Sequence, residues 1–182
     1  MTPLVSVILP TYNRGKYITK AIESVWKQSY KNLELIIIDD ASTDATIELL
    51  GSLAKYYPKI IVLHNEINSG IVASLNKGIA MARGKYIARL DDDDIWCDNR
   101  KIEKQIDFLE KNPKYCLVGG GVIKIDKYDK KDYGFHIICC DNLFVFPDLH
   151  IAYHLFCNTS LRIQLDNPLS RRQKTKTSPE SV

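Results

Sequence analysis

Short apolar runs alternate with amphipathic stretches up to about residue 125, and that alternation constrains the fold more than any other feature. The runs are LVSVILP (4–10), LELIIID (33–39), KIIVLH (59–64), the YIARL that leads into four aspartates (86–90), and YCLVGGGVIKI (115–125). Most are rich in β-branched residues and too short for a buried helix, so they read as strands. Between them apolar residues recur at helical spacing. Tyr17, Ile18, Ala21, Ile22 and Val25 predict a helix over about 15–28, and Ile47, Leu50, Leu53 and Ala54 predict a second, capped by Ser42 or Thr43. A third carries Val72, Leu75, Ile79 and Ala82, entered through Asn68-Ser69-Gly70 and closed by Gly84; a fourth carries Ile102, Ile106 and Leu109, with Pro113 beyond it.

Strand and helix in strict alternation imply right-handed crossovers and an α/β fold, with a mostly parallel sheet and helices on both faces. Sheets of this kind bind ligands outside the carboxyl ends of their strands. Pro10-Thr11-Tyr12-Asn13, Asp39-Asp40 and Asp91-Asp92-Asp93-Asp94 all fall at such ends and should share one rim. The alternation stops near residue 126. We divide the chain into a core (1–126), a less regular region (127–169) and a polar tail (170–182) expected to be disordered.

Four adjacent aspartates need a reason. Two carboxylates about 5.5 Å apart repel by about 3 kcal/mol at an effective dielectric of about 20. In an extended segment residues two apart share a side, which would set Asp91 and Asp93 against Asp92 and Asp94. A hard divalent cation beside one pair resolves the crowding, and an oxygen-only ligand set suits Mg2+ or Mn2+. A solvated turn capping a helix near Asp98 needs fewer acids. Asp39 and Asp40 form a second acidic pair of the type that accepts hydrogen bonds from a ribose or a base, although Asp40 could instead cap the following helix. No glycine-rich phosphate loop follows the first strand, so phosphates would be held through the metal.

Composition excludes other classes. Hydrophobic residues make up 45% and charged residues 26% of 182, which is globular. A net charge of +3 with no basic stripe argues against nucleic acid. No basic n-region precedes the first apolar run, and no stretch approaches a membrane span, so neither a signal peptide nor an anchor is expected. The five cysteines have no metal-knuckle or disulfide spacing and fit a reducing cytosol.

The segments VSVILPTYNRGKYITKAIESVWKQSYKNLELIIIDDASTDAT and NSGIVASLNKGIAMARGKYIARLDDDDIW resemble, in order and spacing, glycosyltransferase family 2, inverting enzymes of the GT-A fold. The likeness covers residues 3 to 121, and the chain looks C-terminally shortened beside that pattern. It implies a Rossmann-like nucleotide-diphospho-sugar transferase core. Pro10 and Thr11 would sit beside base and ribose, Asp40 on the base and Asp39 next to it. Asp91 and Asp93 would be the two acids of the D-x-D metal motif, with Asp93 the direct metal ligand and Asp91 near the ribose or a metal-bound water, and Asp92 between them would count among the nucleotide-sugar-binding residues. Asp94 matches a further acid, while Asn76 and Gly78 match a structural helix segment. The implied cofactor is Mn2+ or Mg2+. The implied donor is a nucleotide-diphosphate sugar, a UDP-sugar above others, and the acceptor a glycan or lipid-linked acceptor at the cytoplasmic face of a membrane.

The family's general base belongs to an acidic pair beyond the fifth strand. Here Asp126, Asp129, Asp132, Asp141, Asp148 and Asp166 stand singly, so no catalytic base is assigned. His150 and His154, at helical spacing, lack a carboxylate companion. Two alternatives follow: a shortened, non-catalytic relative that binds nucleotide sugar, and a flavodoxin-like receiver domain, which would need Lys124 to close the last strand beside the acids.

Overall fold

The computed structural model describes residues 2–120 and two further short strands, 144–146 and 162–164. The elements run β1 (Val5–Thr11), α1 (Ile18–Trp26), β2 (Leu33–Asp39), α2 (Thr46–Tyr56), β3 (Ile60–His64), α3 (Ile71–Met81), β4 (Tyr86–Arg89), α4 (Lys101–Lys111), β5 (Leu117–Gly119), β6 (Phe144–Phe146) and β7 (Arg162–Gln164). Apart from β6 and β7, the region 127–169 lies outside the described residues, as do the tail 170–182, Lys124, His136, His150 and His154.

Strands β3-β2-β1-β4 pair in parallel, and β7 adds to the β4 edge antiparallel. The register aligns the rim: Thr11 stands opposite Asp39, and Asp39 opposite His64. All seven residues of β1 and of β2 are buried, because helices cover both faces. On one face Val5, Val7, Leu9, Leu35 and Ile37 pack against Ile18, Ile22 and Val25 of α1, Leu50 of α2, and Ile102, Ile106 and Leu109 of α4. On the other, Ile8, Ile36, Ile38 and Ile87 meet Leu75 of α3. Gly78 lets α3 lie this close, since a Cβ there would stand 2.6 Å from Ile8 Cγ2 and from Ile38 Cδ1.

Several expectations change. Of the fifth strand, expected over 115–125 in the parallel sheet, residues 121–125 lie outside the described residues; Leu117–Gly119 pairs antiparallel with β6 in a separate two-stranded sheet. Gly84 does not close α3, which ends at Met81; it allows the chain to pass over β1, where a Cβ would meet Ser6 N at 2.7 Å and Leu4 O at 2.9 Å. Neither Ser42 nor Thr43 caps α2. Asp44 does so two residues ahead of it, its Oδ1 accepting from Thr46 N at 2.9 Å. Asp98, not the aspartate run, serves the start of α4, accepting from Arg100 N at 2.9 Å.

At the amino end of the sheet Glu34, 3% exposed, accepts from Ser6 Oγ at 2.6 Å and from Arg83 Nη2 at 2.7 Å. Burial opposes its charge, but these bonds outweigh burial and hold its pKa below the usual range. No described helix is long and apolar enough to cross a membrane. Cys97 and Cys116, within the described residues, form no disulfide.

Candidate functional site

The carboxyl ends of β1, β2 and β4 enclose a cleft of about 330 Å³. Its wall brings together Pro10 and Thr11 from β1, Asp40 from the end of β2, and Asp91, Asp92 and Asp93 from the loop after β4. Tyr12, expected on this rim, lines it too, and three residues that sequence reasoning did not place there complete it: Arg14, Ile71 and Ser74. Asp39 is not in the wall. It is fully buried beneath the rim, where Oδ2 accepts from Ser42 N at 3.2 Å and lies 3.4 Å from His64 Nδ1.

The aspartate run does not alternate sides. Asp94 N donates to Asp91 O at 3.1 Å, which closes a turn. The turn directs Asp91, Asp92 and Asp93 to the same cleft, so the expected opposition of Asp91 and Asp93 to Asp92 is corrected. Each acid has a different environment. Asp91 is gripped by Arg89, with Nε to Oδ1 at 2.8 Å and Nη2 to Oδ2 at 3.0 Å. The Asp92 side chain is 13% exposed and that of Asp93 52%; Arg14 lies 3.7 Å from the first and 3.8 Å from the second.

Burial pushes the Asp92 carboxyl above its usual pKa, and the Asp93 charge adds to the rise; Thr11, Arg14 and Tyr12 N pull against it. The Thr11 hydroxyl favours the Asp92 anion without reaching full hydrogen-bond geometry, and it has no other partner among the described residues. Asp94 has more exposed surface, yet the packed loop still limits its hydration; that, followed by the charges of Asp91 and Asp93, raises its pKa as well.

Asp40 faces the cleft while holding α3. Its Oδ1 accepts from Asn65 Nδ2 at 2.6 Å and Ser69 N at 2.9 Å, and its Oδ2 accepts from Gly70 N at 2.7 Å. Gly70 adopts a φ of +82°, a backbone conformation that favours glycine, as the chain turns into α3. Burial opposes the charge here also, but the donors prevail and the pKa falls. Asp40 therefore fixes the start of α3, and with it Ile71 and Ser74, rather than capping α2. On the other side, two loops are joined. Asn13 Oδ1 accepts from Thr43 N at 2.8 Å, Asn13 N donates to Ser42 Oγ at 2.9 Å, and Arg14 N donates to Thr46 Oγ1 at 3.1 Å.

The sequence model described as glycosyl transferase family 2 matches residues 6–167. The chain belongs to that family. Glycosyltransferase GlyG of Streptococcus pneumoniae is 33% identical over 151 residues, covering 83% of this chain and 48% of GlyG. Mannosyltransferase PcManGT of Pyrobaculum calidifontis, solved with GDP-Man and Mn2+, superposes with a TM-score of 0.62 at 25% identity, over 68% of this chain and 36% of that one. TarS 1–349 of S. aureus, solved with UDP-GlcNAc, gives 0.57 at 30% identity, over 68% and 34%. The chain spans about half the length of the curated relatives it matches. The fold is that of GT-A glycosyltransferases.

Do this family 2 chain's residues suit a divalent cation? Among the described residues no three His, Cys, Asp or Glu side chains converge as a ready-made metal cage. Magnesium and manganese do not require one, since they take one or two carboxylates and fill other positions with water and phosphate oxygens. Asp93 is half exposed at the cleft edge and Asp91 has both oxygens engaged by Arg89, which fits Asp93 as the direct ligand and Asp91 as its neighbour. The buried, unpartnered Thr11 hydroxyl in the same wall is a polar group that a ligand would satisfy. The donor set fits.

Proposed function

We propose that this chain is the donor-binding part of a metal-dependent, inverting glycosyltransferase that takes a nucleotide-diphosphate sugar, with a UDP-sugar favoured. The observation that carries the reading is the convergence of Asp91, Asp92 and Asp93 with Thr11 and Asp40 on one cleft at the strand carboxyl ends. The nucleoside would lie along Pro10, Thr11 and Asp40, with the diphosphate toward Asp93. Mn2+ or Mg2+, when bound, supplies positive charge that offsets the departing diphosphate. Arg89 holds Asp91 oriented beside that position through two hydrogen bonds. Asp40 fixes the opposite wall through α3. The acceptor hydroxyl, on a glycan or lipid-linked acceptor, would attack the anomeric carbon from the face opposite the diphosphate, and its proton would pass to a carboxylate base. The region 127–169 is assigned to the acceptor side, and the site of action to the cytoplasmic face of a membrane through peripheral association.

Calorimetric titration of UDP with Mn2+ present, then with EDTA, tests the reading. Tight binding with the metal and at least a tenfold loss without it is the expected result; equal affinity in both would overturn the metal role. A second reading, a relative that binds donor without transfer, rests on the lack of an adjacent acidic pair past residue 126. Acceptor-dependent release of UDP separates the two. The receiver reading is withdrawn, because the family match excludes it and β5 lies outside the parallel sheet that a closing lysine would have to reach.

A further inference from the structure

Two arginines, Arg14 in the cleft wall and Arg89 behind it, hold the acids of the cleft differently. Arg89 is buried and makes two hydrogen bonds to Asp91 at 2.8 and 3.0 Å. The Arg14 guanidinium stands off at 3.7 Å from Asp92 and 3.8 Å from Asp93, beyond hydrogen-bond length, and its side chain is 46% exposed. Its backbone, by contrast, is fixed: Arg14 N donates to Thr46 Oγ1 at 3.1 Å, and its carbonyl accepts from Tyr17 N at 2.9 Å and Ile18 N at 3.1 Å. Arg14 is a charged head on an anchored base, its guanidinium 6.0 Å from the Tyr17 ring centroid and in no short hydrogen bond to either acid, beside the carboxylate best placed to hold a cation.

A cation and a guanidinium compete for Asp93, because each weakens the hold of the carboxylate on the other. We infer that Arg14 is an exchangeable counter-ion: it neutralises Asp92 and Asp93 in the donor-free cleft, and moves onto the diphosphate once a divalent cation occupies Asp93. A planar guanidinium pairs with phosphate oxygens through two parallel bonds, which an ammonium cannot reproduce. The inference rests on the nucleotide-sugar reading above.

The test compares wild type, Arg14→Gln and Arg14→Lys in three titrations: Mn2+ alone followed by electron paramagnetic resonance, UDP at saturating Mn2+, and uridine at saturating Mn2+. Arg14→Gln should bind Mn2+ alone about fivefold more tightly, as expected for losing one partly exposed competing charge. It should bind UDP about tenfold more weakly, as expected for losing a charge-assisted pair, and leave uridine unchanged. Arg14→Lys should return Mn2+ affinity to wild type and recover UDP binding only in part. A misfolded variant would weaken all three ligands together, so the opposed shifts are diagnostic. Wild type without Mn2+-dependent UDP binding would overturn the nucleotide reading itself. Wild type that binds, with Arg14→Gln unchanged or weaker toward Mn2+ alone, would overturn the role of Arg14 and leave the nucleotide reading standing.

Discussion

Arg89 holds both carboxylate oxygens of Asp91 from within the sheet, its own side chain 6% exposed against 30% for its partner. A charge committed from inside the protein gives the acidic turn a fixed corner. Arg89→Met would leave Asp91 facing Asp92, Asp93 and Asp94 without that counter-ion. The expected cost is about 2 kcal/mol, below the value for a fully buried pair because Asp91 keeps some water. Urea unfolding measures it, and Arg89→Lys should recover part, having the charge without the fork.

Asp93→Asn should remove the Mn2+ dependence of UDP binding while shifting the melting temperature little, because the Asp93 side chain is 52% exposed. Asp92→Asn should also weaken Mn2+-dependent UDP binding, since Asp92 lines the same cleft. Removing a desolvated carboxylate should hold or raise the stability of the metal-free protein near neutral pH. Thermal melts with and without Mn2+ separate the two effects.

The folded-state pKa of Glu34 lies below its ordinary value of 4.5. Its contribution to stability is therefore complete above that ordinary value and is lost as pH falls through the lower folded one. Asp92 and Asp94 act in the opposite sense, their raised values withdrawing stability as pH climbs past the ordinary carboxylate range. Glu34→Gln should flatten the acid side of a urea-midpoint profile and cost about 1–3 kcal/mol at neutral pH. A parallel offset at every pH would contradict this account.

Gly78→Ala should cost about 1–3 kcal/mol, the usual range for forcing a methyl into a packed contact. Ile38→Val removes the Cδ1 that the new methyl would meet and should restore part of the loss. The Ile8 Cγ2 contact remains, so rescue stays incomplete. A double-mutant cycle measures the coupling.

The four parallel strands were legible because strands covered on both faces need long apolar runs, and residues such as Ile36, Ile37 and Ile38 can be little else. Their ends placed the cleft correctly for the same reason. What the sequence hid was set by contacts between distant segments. Nothing local says that Gly84 clears Ser6 or that Asp40 serves α3; Asp44, by contrast, serves α2 across only two residues, a local contact that Ser42 and Thr43 obscured by offering the same chemistry just upstream. The direction of the four aspartates turned on where an extended strand gives way to a turn, a boundary that composition does not mark. A basic residue ending the otherwise apolar β4 was the one available sign of Arg89. Arg14 carried none, since its acids lie far along the chain.

Asn13 ties its loop to the segment from Ser42 to Asp44, and Arg14 N ties it to Thr46, before any ligand arrives. The wall that carries Thr11 and Arg14 is thus braced by the protein's own contacts, so docking a nucleotide against it need not freeze a loose segment. Cutting that lacing with Asn13→Ala would leave every contact surface chemically intact and still slow capture, because each arriving molecule would have to assemble its own berth.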